Sequence, residues 1–387
     1  MNFAKIPYYK VSWFINKWVL CGGADGCEIV DQAELTSDRP PPALLGPAAP
    51  APTLARPWTR EEFRKDAAAA FSSFRKWLDT PWGGDTRTSP KSASAKQQSQ
   101  DTVPPFVIQE IPVTMRALGL PMGAKLMERW FAGDLNYSPD DKAESAGLNQ
   151  HGERYPPAMI DKSDVTMKWV LGFERAKAQY ENLIKNVIYS QASLQQLAKI
   201  LQRYPASTNV DAGSMQIEDI HEYLQFERAG VESTWSQKLE QARNRSVADR
   251  GVPDDLTAAL GSFTFYVAIE KAFVSARSAR VSKISVYIKD NDTFTTNPGS
   301  ASQYLGHWSS KGVIVVPLTE ASTLANREWA NFAVKLGDQK GRGNAYYPVR
   351  NSDFRKWQLK HHRGGDFTIY SDRFVLLLVL RPIEVVW

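Results

Sequence analysis

The chain has 387 residues, of which 43% are hydrophobic and 23% are charged, and its formal net charge is +5. This length allows two domains with a large core, and the composition is that of an ordinary soluble globular protein. The positive charge allows an anionic partner, such as nucleic acid, lipid headgroups or a phosphorylated substrate, without requiring one.

No membrane span or export signal is predicted. No window reaches the roughly 18 uninterrupted apolar residues of a membrane span. The N-terminal stretch is interrupted by Lys10 and Lys17 and lacks a cleavage site for a Sec signal peptide. We therefore expect a protein that is made in the cytoplasm and leaves the cell, if at all, by another route. Cys21 and Cys27 match no zinc-site spacing. Ordinary thiols in a reduced cytosol are expected, with a small disulfide loop as the alternative.

The first 104 residues divide into an N-terminal arm, 1–36, and a linker region, 37–104. The Pro- and Ala-rich stretch 37–57 favours extended conformations and cannot bury a core. The Ser- and Gln-rich stretch 81–104 is predicted to be disordered. Between them, residues 59–78 have the capping and apolar pattern of a single helix.

The next part, residues 105–250, is predicted to be a helical domain. Apolar side chains recur at the spacing of one helix face in several segments, separated by Gly, Pro and polar residues. The predicted helices are 111–118, 121–131, 164–188, 194–204 and 217–242.

From residue 251 onwards, β-branched and aromatic residues alternate. The apolar run 374–380 is typical of a fully buried strand. One more helix is predicted at 321–336. The fold class is therefore α+β, with a helical N-terminal part followed by a β-rich, mostly antiparallel C-terminal domain, 251–387. The predicted strands are 261–269, 272–275, 281–289, 312–318, 366–370 and 374–380.

The best-equipped side chains for chemistry lie near the C-terminus. His361 and His362 lie between Arg355 and Arg363, and Asp366 follows a Gly-Gly turn. This pattern predicts a cationic loop before a hairpin of the last two strands. It could supply a general base, an anion clamp formed by the two arginines, and an orienting carboxylate. The alternative is a basic surface hairpin with solvated side chains.

A second cluster of ionisable residues follows the predicted strand 281–289. Asp290 and Asp292 stand two residues apart, and His307 comes shortly after. Alternate carboxylates at a strand end can face one side and share a proton or a divalent cation such as Mg²⁺. The alternative is a turn capped by Asp and Asn side chains.

We expect both clusters to converge on one cleft, because loops at the ends of a rigid sheet often carry function. Asp290 and Asp292 would face the segment 361–366. A phosphate ester would be held by Arg363 and a metal ion, while a histidine moves the proton.

Three segments carry a resemblance to a known family. They are MRALGLPMGAKLMERWFAG (115–133), DVTMKWVLGFERA (164–176) and NSDFRKWQLKHHRGGDFTIYSD (351–372). Together they resemble an uncharacterised family of proteobacterial proteins that are often encoded near type VI secretion genes. The resemblance covers roughly residues 105–387. It implies an antibacterial effector, secreted into the periplasm or cytosol of a target cell, with a cognate immunity protein and a secretion-system carrier as partners.

A local resemblance concerns mechanism. The segment VSKISVYIKDNDTF (281–294) resembles the strand and D-x-Y-D-F motif of the colicin M family of lipid II phosphatases. Asp290 matches the first acid, whereas Asp292 and Thr293 stand at the Tyr and second acid positions. The family's His-Arg pair is found only at His362-Arg363, at a much longer spacing. The resemblance implies a phosphoesterase-type hydrolase acting on a phosphate-bearing target, such as a lipid-linked cell-wall precursor.

The sequence leaves three functions open. The first is an antibacterial effector that hydrolyses a phosphate-bearing target. The second is a nuclease toxin in which His361 or His362 is the base and Arg363 holds the phosphate. The third is a non-catalytic secretion or interaction protein, in which the β-rich part is purely structural.

Overall fold

The computed structural model describes ten stretches of the chain: 8–12, 17–21, 28–30, 35–44, 106–231, 254–295, 302–314, 333–335, 345–379 and 381–387. All of them belong to one of the two compact units into which the chain divides. The predicted linker helix, most of the linker region and Cys27 lie outside the described residues.

The described residues confirm the α+β class, with helices concentrated in the N-terminal half and antiparallel-rich sheets in the C-terminal half. None of these helices is both long and apolar enough to cross a membrane. The helices are α1 (Ile111–Ala117), α2 (Pro121–Ala132), α3 (Asp141–Ser145), α4 (Met167–Val170), α5 (Glu174–Lys185), α6 (Gln191–Leu201), α7 (Ile217–Tyr223), α8 (Asp255–Leu260) and α9 (Asn351–His361).

Strands are found from the first described residue to the C-terminus. They are β1 (Tyr8–Ser12), β2 (Lys17–Cys21), β3 (Glu28–Val30), β4 (Leu35–Thr36), β5 (Phe106–Val107), β6 (Ile160–Asp161), β7 (Thr208–Asp211), β8 (Gln225–Val231), β9 (Phe263–Val274), β10 (Ser278–Asp292), β11 (Tyr304–Ser309), β12 (Gly312–Ile314), β13 (Ala333–Lys335), β14 (Ala345–Arg350), β15 (Phe367–Tyr370), β16 (Phe374–Leu377) and β17 (Ile383–Val386).

The main sheet is built around β10, a strand of 15 residues. One edge of β10 pairs antiparallel with β9, which in turn pairs with β7 and β8. Its other edge pairs antiparallel with β15, β16 and β17, which follow one another end to end. One long strand therefore holds three short strands from the C-terminal segment in a single line.

The structure corrects three predictions about the C-terminal segment. The last strands do not form a hairpin with each other, because each pairs with β10 instead. The run 374–380 is not fully buried: Val375 is 48% exposed and Leu377 is 64% exposed. One face of β16 is open to solvent, because alternate residues of a strand point to opposite faces. The basic segment before these strands is the helix α9 rather than a loop.

A second sheet has the strand order β12-β11-β14-β13-β3. It brings a strand of the N-terminal arm beside strands from the C-terminal half. Within the predicted helix 321–336, the structure describes residues 333–335, and these form β13 instead. The prediction is wrong for these residues.

Several predicted helices are confirmed, and two differ in extent. Helices α1, α2 and α6 lie where the apolar spacing places them. The predicted helix 164–188 is interrupted around Gly172, between α4 and α5. The predicted helix 217–242 ends at Tyr223, and the chain continues as β8. Pairing of β8 with β9 supplies long-range backbone hydrogen bonds, which override local helix preference.

The sheet and the core continue across the predicted domain boundary at residue 250. Strands β6, β7 and β8 come from the part that was predicted to be helical, and they join β15 and β9. A single hydrophobic cluster extends from Phe106 to Val385. The boundary therefore does not coincide with a break in either the sheet or the core.

An aromatic cluster fixes α2 and α9 against the end of β10. Trp130 lies edge-on to Phe294 at 4.9 Å and to Phe354 at 5.5 Å. The rings of Phe294 and Phe354 are stacked at 3.8 Å, and Phe131 lies edge-on to Trp357 at 4.8 Å. Such ring pairs stabilise a core by about 0.5–1.5 kcal/mol each beyond their buried area. Because Phe294 lies two residues after the end of β10, the cluster also positions the strand end.

Candidate functional site

A cavity of ≈ 480 Å³ opens beside the end of β10. This volume lies in the range of small-molecule sites, about 300–1,000 Å³. The residues that line the cavity include four acids and apolar side chains from α1, α2, α8 and β11. The four acids are Asp141, Glu144, Asp290 and Asp292.

The backbone of β10 explains why Asp290 and Asp292 share this cavity. They are two residues apart on one strand, so their side chains leave the same face. Both lie in a paired part of the strand, opposite Ile369 and Phe367 of β15. They are therefore held by the sheet and do not belong to a turn, which was the alternative suggested by the sequence.

The surroundings of both acids favour their protonated forms. Burial raises the pKa of Asp290 well above its usual value, and the neighbouring Asp292 and Glu144 raise it further. Burial also raises the pKa of Asp292 to about 7, with Asp366 adding to the rise and Arg129 opposing it. Among the described residues, the Asp292 carboxyl group has no hydrogen bond or salt bridge. It is thus free to meet a ligand in the cavity.

Glu144 is a cavity residue that the sequence analysis missed. It lies in α3, between the predicted helices 121–131 and 164–188, where no element was predicted. Asp140 caps this helix by accepting a hydrogen bond from the Ala143 N–H at 2.7 Å. The Asn291 side chain donates to the Glu144 carbonyl oxygen at 3.4 Å, which ties α3 to β10. The acidic N-cap pattern at 140–144 was the signal that could have located the helix.

His307 does not line the cavity itself but is hydrogen-bonded to Tyr304, which does. It is fully buried in β11, and its Nδ1 atom is hydrogen-bonded to the hydroxyl group of Tyr304. Tyr304 lines the cavity, whereas His307 does not. Burial raises the pKa of Tyr304, so that its hydroxyl group keeps its proton. His307 can therefore act on a ligand only through this tyrosine.

Asp366 has partners that fix it in a structural position. Its carboxylate accepts hydrogen bonds from Trp130 Nε1 at 2.9 Å and from the Ser138 N–H at 3.3 Å. Arg355 forms a salt bridge with it at 3.4 Å. Burial nevertheless raises the pKa of Asp366 to about 6. Asp366 does not line the cavity, and it influences Asp292 only through its charge.

The basic residues at the end of α9 and just after it bind the N-terminal segment 35–44, not the cavity. His361 Nε2 donates to the Ser37 carbonyl oxygen at 2.5 Å. Arg363 donates to the carbonyl oxygens of Pro42 at 2.9 Å and of Gly133 at 3.2 Å. His362 is exposed, with a left-handed backbone. Part of the predicted linker is therefore attached to the end of α9.

The two predicted clusters do not form one cleft. Asp290 and Asp292 line the cavity together, whereas His361, His362 and Arg363 are absent from its lining. Among the described residues, no group of three or more His, Cys, Asp or Glu side chains is arranged to hold a metal ion. Asp290 and Asp292 alone would offer Mg²⁺ two carboxylates, so further ligands would have to come from a substrate or from water.

Comparison with known proteins identifies the family of the chain but no activity. No curated protein and no solved structure was found to match the chain. One family model matches residues 106–387, and its description reads "Family of unknown function (DUF6402)". This match covers most of the chain and includes every residue that lines the cavity. The chain therefore belongs to the DUF6402 family.

Proposed function

We propose that this protein is a hydrolase whose reaction takes place in the cavity beside β10. The main support for this proposal is the pair Asp290 and Asp292. Their carboxyl groups lie on one face of β10 and share a cavity of ligand size. Carboxyl pairs whose surroundings separate their pKa values commonly divide the acid and base roles of a hydrolysis.

The two acids have different roles in this proposal. Burial and the neighbouring carboxyl groups raise the pKa of Asp290 well above its usual range. Asp290 is therefore the general acid that protonates the leaving group. Asp292, with a pKa of about 7, is partly ionised at neutral pH and is the general base that activates water.

We further propose that the protein acts as an antibacterial effector. This part of the proposal rests on the resemblance to proteins encoded near type VI secretion genes. A cognate immunity protein and a secretion-system carrier are the partners that this role requires. The protein would be delivered into the periplasm or cytosol of a target cell.

A phosphate-bearing target is a second candidate that requires a metal ion. No Lys or Arg is found among the described residues that line the cavity. A phosphate group would meet only carboxyl groups there unless a divalent cation such as Mg²⁺ neutralised them. The spacing of Asp290 and Asp292 favours this candidate, because two carboxylates and a substrate phosphate can hold Mg²⁺ together.

A nuclease that uses His361 or His362 has less support. His361 is hydrogen-bonded to the segment 35–44, and Arg363 is bound to carbonyl oxygens. Neither side chain is positioned to hold a phosphate beside the carboxyl pair.

Targeted expression tests the proposal. The chain is expressed in bacteria with and without a periplasmic export signal, as the native sequence and as Asp290→Asn. We expect killing in one compartment by the native chain and a loss of killing in the variant. Survival with both proteins in both compartments would favour the non-catalytic alternative. Undiminished killing by Asp290→Asn would refute the assignment of the acid.

A further inference from the structure

We infer that the edge of the main sheet formed by β16 and β17 binds a partner protein by strand addition. The partner is a different chain that presents an extended apolar segment with an acidic residue at each end. This edge shares no residue with the described lining of the cavity, so the inference does not depend on the proposed hydrolysis.

The strand order leaves this edge of the sheet open. On the side away from β10, β15 has β6 as its neighbour. In contrast, β16 and β17 pair with β10 alone among the strands that the structure describes. Edge strands present N–H and C=O groups that a further strand can use for pairing.

Hydrogen bonds to β10 show which residues of β16 face the open edge. The Leu378 N–H donates to the Ser282 carbonyl oxygen at 2.9 Å, and Leu376 continues the same register. Bonded and non-bonded residue pairs alternate in an antiparallel ladder. The backbone groups of Leu376 and Leu378 are therefore directed toward β10, whereas those of Val375 and Leu377 point to the open edge.

The same alternation continues in β17. The Trp387 N–H donates to the Arg277 carbonyl oxygen at 3.0 Å. In the register of β17 with β10, this bond directs the backbone groups of Glu384 and Val386 outward. Both strands thus offer backbone groups along one line of the sheet.

The side chains along this edge are apolar. Leu377 is 64% exposed and Val386 is 78% exposed. On the other face of β16, Phe374 and Leu376 are only partly buried. Natural edge strands are often protected by a lysine, a proline or a bulge, but β16 reads FVLL and pairs with β10 without a register shift. A strand that pairs here therefore needs apolar side chains.

The charges beside this edge favour an acidic partner. Lys283 of β10 lies between Leu377 of β16 and Lys271 of β9. Like charges directly opposite each other on neighbouring strands are unfavourable. Lys271 has a salt bridge with Asp211 at 3.4 Å, whereas Lys283 forms none with any residue that the structure describes.

Arg381 is a second cation beside the edge, and within the described part of the chain it has no acidic partner. It is exposed, and its guanidinium group lies 3.7 Å from the centre of the Tyr189 ring. Acidic residues at the ends of an added strand can form charge-assisted hydrogen bonds with Lys283 and Arg381. Antiparallel pairing of two copies about Leu377 would instead place Arg373 opposite Arg381, so like charges disfavour a symmetric dimer.

Two peptides with fluorescent labels, DVTVTVTVD and KVTVTVTVK, test the inference by fluorescence anisotropy with the full chain. The peptides can form the same backbone hydrogen bonds and differ only in their end charges. We expect the acidic peptide to bind about fivefold more tightly than the basic peptide. Lys283→Glu/Arg381→Glu should reverse this preference.

Two substitutions at one position separate the backbone from the side chain. Leu377→Pro removes an N–H that faces the open edge and keeps the bonds to β10, so it should weaken binding of the acidic peptide about tenfold. Leu377→Thr keeps that N–H and should weaken binding about threefold. Leu359→Ala, at an exposed position on α9, is the control and should leave binding unchanged. Melting curves establish that each variant is folded.

Three results would overturn the inference. The first is equal binding of the two peptides to the native chain, or binding of neither. The second is undiminished binding of the acidic peptide by folded Leu377→Pro. The third is a native dimer, measured by light scattering, that Leu377→Pro converts to a monomer. In that case the edge pairs with a second copy of the chain.

Discussion

The acids near the C-terminal strands differ in their partners more than in their chemistry. Asp366 is fully buried and has three donors, whereas Asp292 has no hydrogen-bond partner among the described residues. The sequence presents them as equivalent candidates. Their division into a structural acid and a cavity acid follows from contacts with residues more than 200 positions away. Local pattern cannot reveal such contacts.

Removal of the Asp366 carboxylate should destabilise the fold. Asp366→Ala leaves the Trp130 and Ser138 donors unpaired and the Arg355 charge without its partner. Breaking a buried ion pair in this way destabilises a protein by about 3–5 kcal/mol. Because Arg355 is partly exposed, we expect Asp366→Ala to lower the free energy of unfolding by about 3 kcal/mol. Urea unfolding measures the change. The control is Asp219→Ala, which changes an exposed acid on α7 and should alter the free energy of unfolding by no more than about 0.5 kcal/mol. An equally small change for Asp366→Ala would contradict the structural role of Asp366.

The pKa of Asp292 predicts a pH-dependent stability. The folded-state value of about 7 is above the usual 3.8, so the folded chain binds this proton more tightly than the unfolded chain does. The stabilisation is present below pH 4 and is lost as the pH rises through 7. Asp292→Asn should therefore be more stable than the native chain at pH 8, by on the order of 1–3 kcal/mol, and similar to it at pH 4. Urea unfolding of both proteins at pH 4 and pH 8 measures the difference. Lower stability of the variant than of the native chain at pH 8 would contradict the raised pKa of Asp292.

At the scale of elements, α9 shows how a local pattern can mislead. Its basic residues suggest a solvated loop, yet Phe354 and Trp357 are three residues apart and fully buried. Two apolar side chains among many charges give too weak a periodicity to identify a helix. The strand β10 was easier to predict, because β-branched and aromatic residues alternate over a long segment, and this pattern is typical of strands.

The turn after α9 depends on a glycine. A Cβ atom on Gly365 would lie 2.7 Å from Met159 Sδ and 2.8 Å from the Asp134 carbonyl oxygen. Because the second contact is with backbone, Gly365→Ala should destabilise the fold by about 1–3 kcal/mol. Gly230→Ala in β8 is the matched control, since nothing lies within 4 Å of its added methyl group. Thermal unfolding compares the two variants, and equal melting temperatures would refute the close approach.

The end of α9 should hold the segment 35–44. His361→Ala removes the hydrogen bond to Ser37, which stabilises the attachment by about 1 kcal/mol. Amide hydrogen exchange of residues 35–39 should then become about fivefold faster. His362→Ala, at the exposed neighbouring position, should leave exchange unchanged. Equal exchange rates in the native chain and both variants would show that His361 does not anchor the segment.

At the scale of the whole molecule, one sheet joins the two parts that the composition separates. The change of pattern near residue 250 is real, because helices dominate before it and long strands follow it. The pairing of β7 and β8 with β9 is nevertheless encoded in contacts across that change. Periodicity predicts which segments are strands, but it does not specify their partners. The fold class was therefore predictable, whereas the shared core and the cavity were not.

We propose that the cavity acids Asp290 and Asp292, and not His361 and His362 at the end of α9, form the functional centre. Two double variants test this proposal: Asp290→Asn/Asp292→Asn, the carboxyl variant, and His361→Ala/His362→Ala, the histidine variant. Melting curves first show that both are folded. Killing of bacteria is then measured for each in the compartment where the native chain kills. We expect the carboxyl variant to lose killing by about 10²–10⁴-fold and the histidine variant to retain it. Loss of killing in the histidine variant, with full killing by the carboxyl variant, would show that the functional centre lies at the histidines instead.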